Sequence, residues 1–233
     1  MTDTPMKLAN SLLATFTALF LTASAFAGSL DNLAVKDASA GVKEALTKGA
    51  EHAVSSLGKD NGFLGNPKVK IALPDALHKV EKGLNMLGMG KQANALVETM
   101  NHAAESAVAG AKPVLLDAIK KMTVTDAKGI LTGGEDSVTQ YFRRTSSDAL
   151  TTKFMPIVKA ATKKVKLAEQ YNQFAGKAAG LGLMDKKDAD LDSYVTQKAM
   201  DGLFAMIAEH EKAIRSDPVQ AGSALLKKVF GAL

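Results

Sequence analysis

Apolar side chains recur three and four residues apart in one segment of this chain after another, a period that suits helices and not sheets. Val42, Ala45, Leu46, Ala53, Val54 and Leu57 form one stripe, on a helix expected from about Ser39 to Ser56. Pro74 suits the first turn of a helix carrying Leu77, Val80, Leu84 and Leu87. Leu96, Met100, Ala103 and Val108 mark the next, and Val114, Leu115, Ile119 and Met122 the one opened by Pro113. A continuation from Leu167 to Leu181 precedes a strong helix with Val195, Ala199, Leu203, Ile207 and Ile214. Asp217-Pro218 opens a last helix burying Val219, Leu225, Leu226, Val229 and Phe230. The run GKDNGFLGNP at 58–67 has turn composition. Only Val69-Lys70-Ile71-Ala72-Leu73 alternates, which permits a short extended piece with no second run to pair with. The expected fold is all-α, with nine or ten helices in a single domain over residues 39–233.

The best-punctuated segment runs from Thr123 to Phe142. Thr123 and Asp126 have capping-box spacing, and Ala127, Ile130 and Leu131 share one face. Gly133-Gly134 should stop that helix by adopting positive φ. Glu135 and Asp136 then open the next, whose inward stripe is Val138, Tyr141, Phe142 and Thr145. A Gly-Gly turn before a helix could cradle phosphate, but two acids in the first turn repel an anion, so capping is the expected role. The stripe then slips to Leu150, Phe154, Ile157, Val158, Ala161 and Val165. A fresh helix capped by Ser146 or Ser147 is expected, kinked by Pro156.

Residues 1–27 read as a secretory signal peptide. Leu8 to Ala23 is largely apolar and uncharged, and Ala25-Phe26-Ala27 has the small-x-small form of a cleavage site. Asp3 suits that reading poorly, and Met6-Lys7 would make a more ordinary start. Residues 28–38 are expected to be a flexible leader. Export to the periplasm follows, with no membrane span in the mature chain. The chain has no cysteine, which removes disulfides, a thiolate nucleophile and a lipidated cysteine together. The net charge of +5 is unchanged by loss of the leader, which holds one Lys and one Asp. That charge suits anionic envelope surfaces. With aromatic residues at 5%, it does not argue for nucleic acid.

Local motifs carry little chemistry. Gly88-x-Gly90-x-x-Ala93 has the form of a dinucleotide fingerprint but follows a helix where a strand is required. Tyr194 and Lys198 have the spacing of a short-chain dehydrogenase pair, without the sheet that makes it meaningful. Asp188, Asp190 and Asp192 occupy the first oxygen positions of a calcium loop, but Ser193 and Ala199 stand where Gly and Glu are needed. The four histidines are scattered, and no Gly-x-Ser-x-Gly elbow appears. No cofactor, metal or catalytic residue is implied.

The strongest surface feature is cationic. Arg143, Arg144, Lys153, Lys159, Lys163, Lys164 and Lys166 share their stretch with one acid, Asp148. Lys159, Lys163 and Lys166 lie on one helix face, opposite Ile157, Val158, Ala161 and Val165. The bland role is a solvated lysine face. The functional role is contact with an anionic partner, an envelope lipid or an acidic protein, through Tyr141, Arg143, Arg144, Lys159, Lys163 and Lys166. Arginines beside a tyrosine suit oriented oxyanion contacts. Ten methionines and abundant glycine also admit a helical pocket for a hydrophobic small molecule. An enzyme assembled from Tyr141, Arg143 and Asp126 or Glu135 is a third arrangement. The oligomeric state is left open.

Five segments in order, GFLGNPKVKIALP, MTVTDAKGILTGGEDSVTQYFRRTS, KFMPIV, YNQFAG and the run from Tyr194 to Gly231, resemble the bacterial family labelled domain of unknown function 4197. The resemblance extends from about Leu33 to Leu233. It implies an exported helical protein and transfers no activity, substrate or catalytic residue.

Overall fold

The computed structural model describes residues 24–75, 90–180, 182 and 189–217. Among them are seven helices and no strand. They are α1 (Ser24–Leu57), α2 (Gly90–Ala109), α3 (Lys112–Lys121), α4 (Val124–Thr132), α5 (Ser137–Thr162), α6 (Lys166–Gly180) and α7 (Leu191–Ser216). The chain divides into Met1–Lys36 and Asp37–Leu233, and the packing below belongs to the second unit.

The fold is all-α as expected, with seven helices among the described residues rather than nine or ten. The helices expected after Pro74 (beyond Asp75) and after Pro218 lie outside the described residues. Residues 28–38, expected as a flexible leader, are helical within α1, and no proline interrupts them. The break expected at Ser146 or Ser147 does not occur, because α5 runs unbroken through Ser146 and Pro156.

The reason lies in the spacing of the buried positions of α5. Val138, Phe142, Ser146, Leu150, Phe154, Val158 and Thr162 are all buried, four residues apart throughout. Each step of four residues advances roughly 40° around a helix. The buried stripe therefore winds about α5, and the helix meets α7, α2, α3 and α4 along its length. A small hydroxyl at Ser146, 1% exposed, fills one core position and hides the continuity of the apolar pattern. α5 is the central element of the unit.

Residues 58–74, which follow α1, form a strap with little regular structure of its own, closed down onto α2 and α7. Phe63 is fully buried over Gly202 of α7, where a Cβ would sit 2.5 Å from its Cε1. The Phe63 and Leu64 N–H groups donate to Glu105 Oε1 of α2 at 2.9 and 3.1 Å. The alternating piece Val69–Leu73 finds a partner without a sheet. Asn101 of α2 accepts from Ile71 N–H at 2.9 Å and returns its side-chain amide to Ile71 O at 2.9 Å. One buried amide thus stands in for the neighbouring strand.

Candidate anion-binding surface

Local capping sets the geometry around the arginines. Thr123 Oγ1 accepts from Asp126 N–H at 3.1 Å, and the Asp126 carboxylate accepts from Thr123 N–H, completing the expected capping box on α4. The hydroxyl bond from Thr123, then its backbone N–H and finally Arg144, hold the Asp126 carboxyl below its usual range. Gly133 ends α4 with φ −82°, not the expected positive value. Glycine is needed there for space, since a Cβ would meet Gly129 O at 2.7 Å.

On α5, Tyr141 turns inward. It is 3% exposed and donates its hydroxyl to Ala118 O at 2.7 Å. Burial, and then the Asp126 carboxylate, push the phenol's pKa upward. Arg143 lies 4.7 Å from the Phe204 ring centroid and 3.4 Å from the Asp201 carboxylate. Arg144 lies over the Tyr141 ring and pairs with Asp126 at 3.1 Å. These three residues knit α5 to α3, α7 and α4. Asp126 serves both Thr123 and Arg144.

The lysines are placed differently. Lys159 is in the last turn of α5, Lys163 and Lys164 form the turn that follows, and Lys166 opens α6. All four are exposed, and among the described residues none of them forms an ion pair. Half-buried Val165 and buried Leu167 and Ala168 anchor the turn beneath them. Lysines at the end of α5 suit the negative end of the helix dipole, whereas Lys166 faces the positive end of α6 and gains nothing from it. Lys153 stands apart, its stem over Gly110, where a Cβ would meet Lys153 Cε at 2.9 Å.

The other candidates resolve into packing. The N-terminus of α5, where a phosphate cradle was conceivable, already holds Glu211 of α7. Its carboxylate accepts from Val138 N–H at 3.0 Å and Thr139 N–H at 3.1 Å and is met by Arg215 at 3.2 Å. Asp190 caps α7 through Ser193 N–H, and buried Asp192 accepts from Thr162 Oγ1. Asp188, the remaining member of the calcium-like triplet, lies outside the described residues. Among the described residues no three histidines or carboxylates gather as metal ligands, and no helix is long and apolar enough to cross a membrane. Tyr194 donates its hydroxyl to Ala72 O at 3.2 Å, with Lys198 Nζ 5.6 Å from its ring.

Two polar arrangements escape a reading by motif because their partners are distant in sequence. His102 Nδ1 lies 2.7 Å from Glu105 Oε2. Burial opposes ionisation of Glu105, but His102 and the N–H groups of Leu64 and Phe63 outweigh it and hold the carboxyl below its ordinary range. His52 and His210 stack at 5.1 Å, and His210 Nε2 is buried without a hydrogen-bond partner among the described residues. Burial first, then His52 and Lys48, depress the His210 pKa.

Comparison with curated proteins and with solved structures returns no match. The model of one family, described as "Protein of unknown function (DUF4197)", matches residues 32–231, nearly the whole chain. A chain matched by this family's model over that length belongs to the DUF4197 family.

Proposed function

We propose that the protein is exported to the periplasm and binds anionic envelope lipid through the lysine turn between α5 and α6, without catalysing a reaction. The observation that carries this reading is the contrast within the basic run. Arg143 and Arg144 are engaged by Asp201 and Asp126, whereas Lys159, Lys163, Lys164 and Lys166 stand exposed without a carboxylate partner among the described residues. Four ammonium groups at the junction of α5 and α6 suit a plane of phosphate headgroups, at about 1 kcal/mol for each lysine near such a surface. Residues 1–27 support export through their apolar run and Ala25-Phe26-Ala27.

Co-sedimentation with vesicles over a salt series tests it. Recovery with anionic vesicles should fall as salt rises, and neutral vesicles should leave the protein in the supernatant. Replacing Lys159, Lys163 and Lys166 together by Glu should weaken binding by at least a hundredfold, from three contacts of that size. Equal recovery with neutral and anionic vesicles would count against the reading.

A further inference from the structure

α5 and α7 run side by side, joined by the pairs Thr162–Asp192, Arg143–Asp201 and Thr139–Glu211. Between them lies an open groove of about 500 Å³. This volume is within the range of small-molecule sites. Thr151 and Met155 form its α5 side, and Tyr194, Gln197, Lys198 and Asp201 its α7 side, over buried Met200 and Thr196.

The chemistry of the lining selects among ligands. Two thioethers line it, Met155 on the α5 side and Met200 below, and the threonine hydroxyls beside them are engaged: Thr151 donates to Ser147 O at 2.9 Å with its Oγ1 3.3 Å from Met200 Sδ, and Thr196 Oγ1 lies 3.8 Å from Met155 Sδ. Ser193, also on the lining, donates its hydroxyl to Asp190 at 2.7 Å. Few donors remain for a polar ligand body, while unbranched methionines adapt readily to a flexible chain. The rim decides the sign of the head. Asp201 is engaged by Arg143 at 3.4 Å and by Gln197 at 3.2 Å. Lys198 has no carboxylate partner among the described residues and leans over Tyr194. The charge left to a ligand is therefore positive.

We infer that this groove binds a single-chain anionic amphiphile, a long-chain carboxylate, with its head at Lys198 and its alkyl chain along Met155 and Met200. The site is separate from the lysine turn, so either reading can fail alone.

Isothermal titration of the full chain with dodecanoate below its micellar concentration is the test. Dodecyltrimethylammonium, dodecyl maltoside and butyrate serve as comparators. Dodecanoate should bind saturably at one per chain, at least about tenfold tighter than the cationic or neutral chain, and butyrate should not bind measurably. Lys198→Glu should weaken dodecanoate about tenfold and narrow its advantage over the cation. Met155→Trp should fill the groove and abolish binding. Gln197→Trp, on the exposed rim, does the same work if that variant melts early. Reversing Lys159, Lys163 and Lys166 should leave dodecanoate binding unchanged while vesicle binding is lost. The inference is overturned by absence of saturable binding, by many ligands per chain, by equal affinity for the anionic and cationic chains, or by indifference to both groove-filling variants.

Discussion

Glu211 shows how one buried carboxylate can hold several elements together. At 5% exposure it receives two N–H groups from the first turn of α5 and the guanidinium of Arg215, which also donates to Ile130 O at 2.9 Å. The charge is buried, but each of its hydrogen-bond partners donates to it, so desolvation is offset. Glu211→Ala would leave two buried N–H groups without their acceptor and take the carboxylate from the half-buried Arg215 guanidinium, which keeps Ile130 O and Ser137 Oγ. We expect a loss of about 3–5 kcal/mol by urea denaturation, and a clearly smaller loss for Glu211→Gln, which keeps one acceptor oxygen. A loss below about 1 kcal/mol for the alanine variant would show that Arg215 finds other partners. None of this was legible beforehand, because Glu211 and Val138 are far apart in the chain and a lone Glu on a helix reads as solvated surface.

At the scale of elements, α5 separates what a pattern of apolar residues can and cannot convey. The boundaries of α4 and the capping of Thr123 by Asp126 followed from local spacing, which is where their physics lies. The length of α5 did not, because Ser146 occupies a core position and Pro156 sits within an otherwise sound helix. Proline removes one backbone hydrogen bond, but packing along both flanks of α5 outweighs that loss. Ser146 makes only a marginal 3.5 Å contact with Thr145 among the described residues. Ser146→Ala should therefore hold or raise stability, by up to about 0.5 kcal/mol from helix propensity. Thermal unfolding measures this, and a drop of more than 1 kcal/mol would show that the hydroxyl is a working hydrogen-bond partner.

For the molecule as a whole, the seating of α1 on α7 should respond to pH. His210 packs over Gly49, where a Cβ would lie 3.2 Å from its Cδ2, beside a space of about 10 Å³ lined by Ala45, Val138, Ile207 and Ile214. Its folded pKa is lowered, so the unfolded chain takes up the proton first as pH falls. The stability contributed by neutral His210 is complete above about pH 6.5 and is lost progressively below it. Glu105, whose carboxyl is also held low, loses its contribution only as the pH falls below about 4.5. Denaturation midpoints between pH 7 and 5 should decline in the native protein and flatten in His210→Phe. Parallel declines in both would place the titrating group elsewhere. The candidate surface was legible in part at this scale. The lysine turn was visible as charge, whereas the engagement of both arginines by Asp126 and Asp201, and the groove beside Lys198, depend on which helices become neighbours.

The strap that follows α1 has one further consequence. Val69–Leu73 is the most strand-prone stretch of the chain, and such stretches can recruit copies of themselves into fibrous aggregates. Asn101 takes both hydrogen-bonding groups of Ile71, and Tyr194 takes the carbonyl of Ala72 on the adjacent edge. Folding withdraws the rim that an incoming molecule would zip onto, so two helical side chains serve as a safeguard against self-assembly.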